Sequence, residues 1–368
     1  MKKTTFFTLL LSLSTSFFLF RAEAKIWRVN NQSNFDNTDN FGENYGGTSA
    51  YPVFKEINEA VANANVQDGD TLYIEASPTA YRGATISKRL VIIGAGFFVT
   101  ENSNTSNTVN GSDIGFVSFN QGSEFSQLIG INTGSYYTST DTSIYISTND
   151  ITIKRCRITG GVGFGTSNLL RVSIIQNIFA LGGDATLFNN CCSAFVAPQE
   201  IVFNNNIVLK KLIWTGRNIL ECKNNVFDGP PNELNLYFNT DSFQNNILRA
   251  AGITANINEG TNANVEFNTV SNSALFEGTP GIVVVPAMNN LFVQDSSTDG
   301  NYQLQAGATG NVPGKDGAER GAFGGATVAQ RYSLSGLATI PVIYSVSTTG
   351  VSEQDNGLPV KVEARIIK

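Results

Sequence analysis

The 368-residue sequence predicts an all-β fold, a parallel β-helix wound from coils of about 22 residues. Three observations predict it. A short phrase recurs with an asparagine at a fixed place. The apolar residues alternate instead of following a helical period. The chain is poor in charge, with only 15% charged residues, and takes its polarity from Asn, Ser, Thr and Gly. That composition suits an extended stack better than a helical globule.

The first element is a targeting segment. Lys2 and Lys3 precede a fifteen-residue apolar run, Phe6 to Phe20, and Arg21-Ala22-Glu23-Ala24 follows. Small residues at 22 and 24 fit a signal-peptidase site, so residues 1–24 read as a cleaved signal peptide. Fifteen apolar residues are short for a membrane span of about twenty, and no cysteine near the junction suggests a lipid anchor. The chain is expected to be secreted, periplasmic or on the cell surface, with no membrane span after cleavage. Removing Lys2, Lys3, Arg21 and Glu23 from 24 basic and 30 acidic residues leaves 21 and 29, a net charge near −8. Nucleic acid is an unsuitable partner for such a surface.

Residues 25–70 read as an N-terminal cap segment. Val53, Phe54, Ile57, Ala60, Val61 and Ala64 share one helical face, so Val53–Ala64 is expected to be an amphipathic helix covering the first coil. Gln67-Asp68-Gly69-Asp70 is a turn, Thr71–Ile74 a strand, and alternating Ile86, Leu90 and Ile92 lead to Gly94-Ala95-Gly96.

The repeat occupies residues 71–325. Val172, Ile174, Asn177 and Phe179 set the phrase: apolar, x, apolar, two intervening residues, Asn, x, apolar. It returns as Ile201, Phe203, Asn206, Val208; as Leu220, Cys222, Asn225, Phe227; around Phe243, Asn246, Leu248; as Ala263, Val265, Asn268, Val270; and as Val285, Ala287, Asn290, Phe292. Upstream, Ile151, Ile153 and Ile158 match, with Cys156 in the Asn slot. The slots at 156, 177, 206, 225, 246, 268 and 290 are spaced by 21, 29, 19, 21, 22 and 22 residues. Apolar alternation marks a short strand with one buried face. An Asn at the bend tolerates turn dihedrals and both donates and accepts. Strands stacked about 4.8 Å apart would bring Asn177, Asn206, Asn225, Asn246, Asn268 and Asn290 into one internal amide ladder. Leucine-rich repeats use a similar phrase, but they need leucines in the other half of each unit, which here reads TGRN or DGPPNELNLYFNT. Cys156 and Cys222 fall at inward positions and read as buried thiols, although an exported chain permits disulfides. Cys191 and Cys192 lie in the one long coil.

Residues 326–368 read as a C-terminal β cap or short tail, with strands in RYSLSGLATIPVIYSVS and LPVKVEARIIK around a polar turn. Just before it, Leu304, Gly307, Gly314, Asp316 and Gly321-Ala322-Phe323-Gly324 resemble the closing segment of secreted bacterial right-handed parallel β-helix proteins. The helix followed by GDTLYIEA and YRGATISKRLVIIGAG resembles the entry segment of the pectin-lyase-like superfamily. Ala308-Thr309 and Glu319-Arg320 depart from its commoner Ser-Pro and Asp-Ile. The resemblance, over residues 26 to 325, implies a right-handed β-helix. It leaves the chemistry open, since the superfamily includes pectate lyases, polygalacturonases, alginate lyases, adhesins and tailspikes.

No histidine occurs anywhere, which removes Ser-His-Asp and Cys-His catalysis and His-bearing metal sites. Glycoside hydrolysis needs two carboxyl groups about 5 to 9.5 Å apart. Asp184, Glu200, Glu221, Asp228, Asp241 and Glu266 are the candidates, but Glu221 has no second acid in its outward column, and polygalacturonase signatures are absent. A lyase needs charge to acidify a proton beside a uronate carboxyl and an Arg or Lys base; the Arg-x-Pro-x-x-Arg phrase is absent. A loose basic group remains, and Lys154, Arg157, Lys210, Lys211, Trp214, Arg217 and Lys223 are the candidate substrate-binding residues. Lys154 and Lys223 share an outward column, and Trp214 could stack on a sugar. The inward asparagines lack the carboxylates of a calcium site. The expected function is non-catalytic: binding of extracellular polysaccharide, or an adhesive or structural role. The alternative is a polysaccharide lyase using the basic patch. No cofactor or metal is expected, and the chain is expected to be a monomer.

Overall fold

The computed structural model describes residues 24–36, 38–101, 110–134, 142–165, 169–180, 188–189, 200–209, 212–232, 234–257, 264–293, 299–338, 341–348 and 358–366. Residues 1–23 of the predicted signal peptide, Asp184, Cys191, Cys192, Lys210 and Lys211 lie outside these residues.

The chain is nearly all β. Among the described residues it forms three parallel sheets of thirteen, nine and five strands, here sheets 1, 2 and 3, and one antiparallel hairpin. From Gln127 to Asn189 consecutive strands visit the three sheets in rotation. Gln127–Ile129 lies in sheet 1, Asn132–Thr133 in sheet 2, Thr142–Ile146 in sheet 3, Thr152–Lys154 in sheet 1 again, and so on to Phe188–Asn189. Each strand pairs in parallel with the strand reached one circuit later, a step called a rung below. This arrangement is compatible with a parallel β-helix.

Alternation sets what lies inside. In sheet 1 the register joins Trp27, Leu72, Ile92, Leu128, Ile153, Ile174, Phe203, Cys222, Phe243 and Val265 as successive lateral neighbours. All ten are buried in one core. The residues on either side of this column face outward. Among the described residues the last strand of sheet 3 is Phe188–Asn189. The twelve-residue strand Leu212–Lys223 instead runs on within sheet 1 and pairs with both Leu234–Thr240 and Ser242–Gln244. A bulge lies in its pairing to Ile201–Asn204: Ile201 meets Ile219, while Val202 meets Glu221. Ile219 therefore takes the inward place read for Leu220, which is 41% exposed.

The bend between sheets 1 and 2 is made by two adjacent residues with different tasks. Gly130, Arg155, Gln176, Asn205, Asn224, Asn245 and Phe267 adopt left-handed backbone, with φ between 53° and 67°. The next residue, except after Gly130, is the phrase's Asn or Cys. Thus the turn dihedral falls one residue before the slot where the sequence reading placed it. The slot residues point inward. Oδ1 of Asn206 accepts from the backbone N–H of Asn177 at 2.9 Å and from its Nδ2 at 3.1 Å. The pattern repeats through Asn225, Asn246 and Asn268. Each of these five Nδ2 groups also donates to a strand carbonyl, and all five side chains are fully buried. Cys156 starts the column by donating its N–H to Asn177 Oδ1.

Asn290 does not belong to this column. Val283–Val284 pairs with Thr269–Val270 in sheet 2, so the last phrase arrives one face late. Asn290 lies exposed on the 3-10 turn Met288–Leu291.

The predicted helix is shorter than its apolar face, spanning Ile57–Ala62. Val53–Phe54 pairs instead with Arg28–Val29 as the outermost strand of sheet 1. Ile57, Ala60 and Val61 are buried. Asn58 donates Nδ2 to the Gly83 carbonyl and accepts from Thr85 N–H, which occupies the edge of Ala84–Ile86, the outermost strand of sheet 3.

Residues 314–337 form a strap that runs back along the corner, opposite to the stacking direction. The outward side chains of the left-handed column grip its backbone. Asn245 Oδ1 accepts from Lys315 N–H, Asn224 donates to the Glu319 carbonyl, and Asn205 donates to those of Ala322 and Gly324. Gln176 and Arg155 donate to the carbonyls of Ala329 and Leu337. Phe97 N–H reaches the Ser335 carbonyl. Beneath the strap a second core packs outward residues of sheet 2 (Ile178, Ile207, Val226 and Ile247) against Ala322, Phe323 and Tyr332. The Gly-Ala-Phe-Gly segment thus lies mid-strap, and the strap passes residue 325 without a break. Arg320, where the expected closing segment has Ile, is buried and donates to the Asn268 carbonyl and Thr269 Oγ1 at the last column position.

Candidate functional site

The structure divides the predicted basic group. Lys154 and Lys223 do share one outward column of sheet 1, through Ile175 and Asn204. That places them three rungs, about 14 Å, apart. Burial, and then the charge of Arg155, lower the Lys154 pKa. Arg157 belongs to neither this column nor this sheet. Residue 155 makes the turn and 156 points inward, so 157 emerges from sheet 2. There its guanidinium lies 5.2 Å from the Phe98 ring and donates to Asn132 Oδ1. Its pKa is lowered by burial. Arg157 therefore packs half-buried beside the strap, apart from the Lys154–Lys223 column. Trp214 and Arg217 sit in strand Leu212–Lys223, with Leu236 and Phe238 as lateral partners; their side chains lie outside the described portion, as do Lys210 and Lys211.

The outward face of sheet 1 and the strap enclose a groove of about 430 Å³. Its floor comes from alternate residues of adjacent strands. Ser173, Val202 and Glu221 lie in one column, and Ile175, Asn204, Lys223 and Gln244 in the next. The strap supplies Lys315, Ala326 and Gln330 on the far side. Lys223 Nζ pairs with Glu221 Oε1 at 2.9 Å, and Asn204 donates to Glu221 Oε2 at 2.9 Å. Gln244 donates to Glu266 Oε1 at 2.7 Å, and Lys315 pairs with the same carboxylate. Burial alone would push the Glu221 carboxyl up, but the bonds from Lys223 and Asn204 outweigh it and hold it below the usual carboxylate range. The groove therefore carries two matched ion pairs among amides and a hydroxyl.

The other candidate acids are placed elsewhere. Asp228 accepts from the Tyr302 hydroxyl at 2.8 Å and pairs with Arg249; burial raises its pKa. Asp241 is exposed at the groove's outer end. Asn204, Gln244, Glu266 and Lys315 were not singled out as a set by the sequence. Register alone could have found the first three, since they continue the Lys154–Lys223 column. Lys315 carries no such signal, because the strap brings it there.

The two described cysteines, Cys156 and Cys222, are buried free thiols. Burial pushes the Cys156 thiol up to about 12 and raises that of Cys222 well above its ordinary value. Among the described residues no helix is long and apolar enough to cross a membrane. No protein-family model, curated protein or solved structure matches the chain.

Proposed function

We propose that the chain is a right-handed parallel β-helix of the pectin-lyase-like superfamily, exported by the signal peptide of residues 1–24, that binds extracellular polysaccharide without cleaving it. The rotation of strands among three parallel sheets, the amide column and the closing segment support the architecture. In this reading helix Ile57–Ala62 caps the first coil. The binding surface is the groove between sheet 1 and the strap.

One observation carries the functional part: the charged residues lining the groove, Glu221, Lys223 and Lys315, each meet an opposite charge, and amide side chains lie between them. Lys223 Nζ donates to Glu221 Oε1 and is placed to donate to a sugar hydroxyl as well. A groove of balanced charge and mixed donors and acceptors suits the hydroxyls of a neutral sugar chain, where a few placed polar groups set orientation. A uronate polymer would need unmatched positive charge.

Titration calorimetry against neutral and uronate polysaccharides tests this. Binding of a neutral chain is expected, weakened about tenfold in Lys223→Ala, the worth of one charged hydrogen bond. New absorbance from unsaturated ends on a uronate polymer, lost in Lys223→Ala, would replace this reading with a lyase.

A further inference from the structure

The hairpin of Pro341–Thr348 and Val360–Ile366 is separate from the three sheets; among the described residues its strands pair only with each other. Residues 360–364 of strand Val360–Ile366 are exposed or half-exposed on both faces. Val360 and Val362 are 54% and 53% exposed on one side, and Lys361 is exposed on the other, beside Glu363. A lone two-stranded hairpin is marginally stable in water, and a strand with no neighbour on one edge is a template for another.

We propose that Val360–Ile366 pairs antiparallel with the same strand of a second copy, about a two-fold axis through Val362. The charge pattern is complementary to a second copy in this register. A two-fold axis makes each contact occur twice. Centred on Val362, the pairing sets Lys361 opposite the second copy's Glu363, twice over, on one face. On the other face Val362 meets Val362, Val360 meets Ala364 and exposed Leu358 meets Ile366. Moving the axis to Lys361 places two lysines face to face. Moving it to Glu363 opposes two glutamates and sets Lys361 against Arg365. A shift of half a residue puts valines opposite charges. Directly opposite pairs decide sheet pairing, and like charges there oppose it. The result is a continuous four-stranded sheet whose apolar face is twice as wide, formed without any part of the sugar-binding groove.

Sedimentation of the full chain at micromolar concentration tests the proposal. The wild-type protein is expected to be a dimer. Lys361→Glu and Glu363→Lys should each be monomeric, since each sets like charges opposite one another. An equimolar mixture of the two should form a heterodimer, because one copy then presents two acids to the other's two bases. Carrying both changes in one chain should also restore the dimer. Circular dichroism establishes that the single variants fold, and the mixture shows that each remains competent to pair. A monomeric wild-type chain, single variants that stay dimeric, or a mixture that stays monomeric would each overturn the proposal.

Discussion

At Glu221 burial and pairing act in opposite directions, and pairing prevails. Its carboxyl is held below an ordinary value near 4.5 by Lys223 and Asn204. A folded-state pKa below the unfolded one stabilises the native state above the unfolded value, and that stability is lost as pH falls through the folded value. We therefore expect Glu221→Gln to lower the urea midpoint at pH 7. The difference from wild type should shrink as pH falls below about 4.5. A difference that grows on acidification would mean that the carboxylate is not the stabilised form. Much of this site was readable from the sequence: residues two apart in a strand share a face, and lateral columns follow from the repeat. Lys315 was not readable, since its distance from Glu266 depends on how the strap returns. Nor was the half-burial of Arg157, because alternation distinguishes inside from outside but cannot show what lies on the outside.

At the level of the strand and its bend, the asparagine column gives the fold its most regular internal feature. Asn225 donates to Asn246 and the Phe203 carbonyl, and accepts from Asn206. Asn225→Ala leaves these buried groups without partners, at a cost on the order of 1–3 kcal/mol. Asn290→Ala, on an exposed turn, should leave the midpoint of chemical unfolding unchanged. Equal effects from the two substitutions would remove the column's role. The phrase predicted the column because an amide that both donates and accepts can repeat along a stack without end groups of its own. The phrase could not show that the bend itself precedes the Asn. Arg155, Gln176 and Phe267 have no left-handed preference and occupy that backbone because the rungs above and below impose it. The bulge that exposes Leu220 and the late phase of the final phrase escaped for a related reason: one residue gained or lost moves every later side chain to the other face, and both possibilities read as alternation.

Across the whole molecule the strap connects rungs that are otherwise in contact only with their neighbours. Its acceptors are main-chain carbonyls, which leave no mark in a sequence, so its path was the least legible part of the fold. The motif Gly-Ala-Phe-Gly indicated a close approach but not to what. If the strap acts as one piece, the amides of Phe97 and Lys315, bonded at its opposite ends, should exchange with deuterium through a common opening. Asn205→Ala, which removes two bonds at its middle, should speed both. Acceleration confined to residues beside Asn205 would show that the strap opens in sections. The same path has a consequence for how the chain reaches its native state. Ser335 contacts Phe98 at a sequence separation of 237, so an emerging polypeptide can complete its early turns long before their outer side is roofed. Contacts so distant in sequence form slowly, and during that delay Ile178, Ile207, Val226 and Ile247 remain wet and adhesive. The interval before closure is when the nascent protein is most prone to aggregate and has most need of a chaperone.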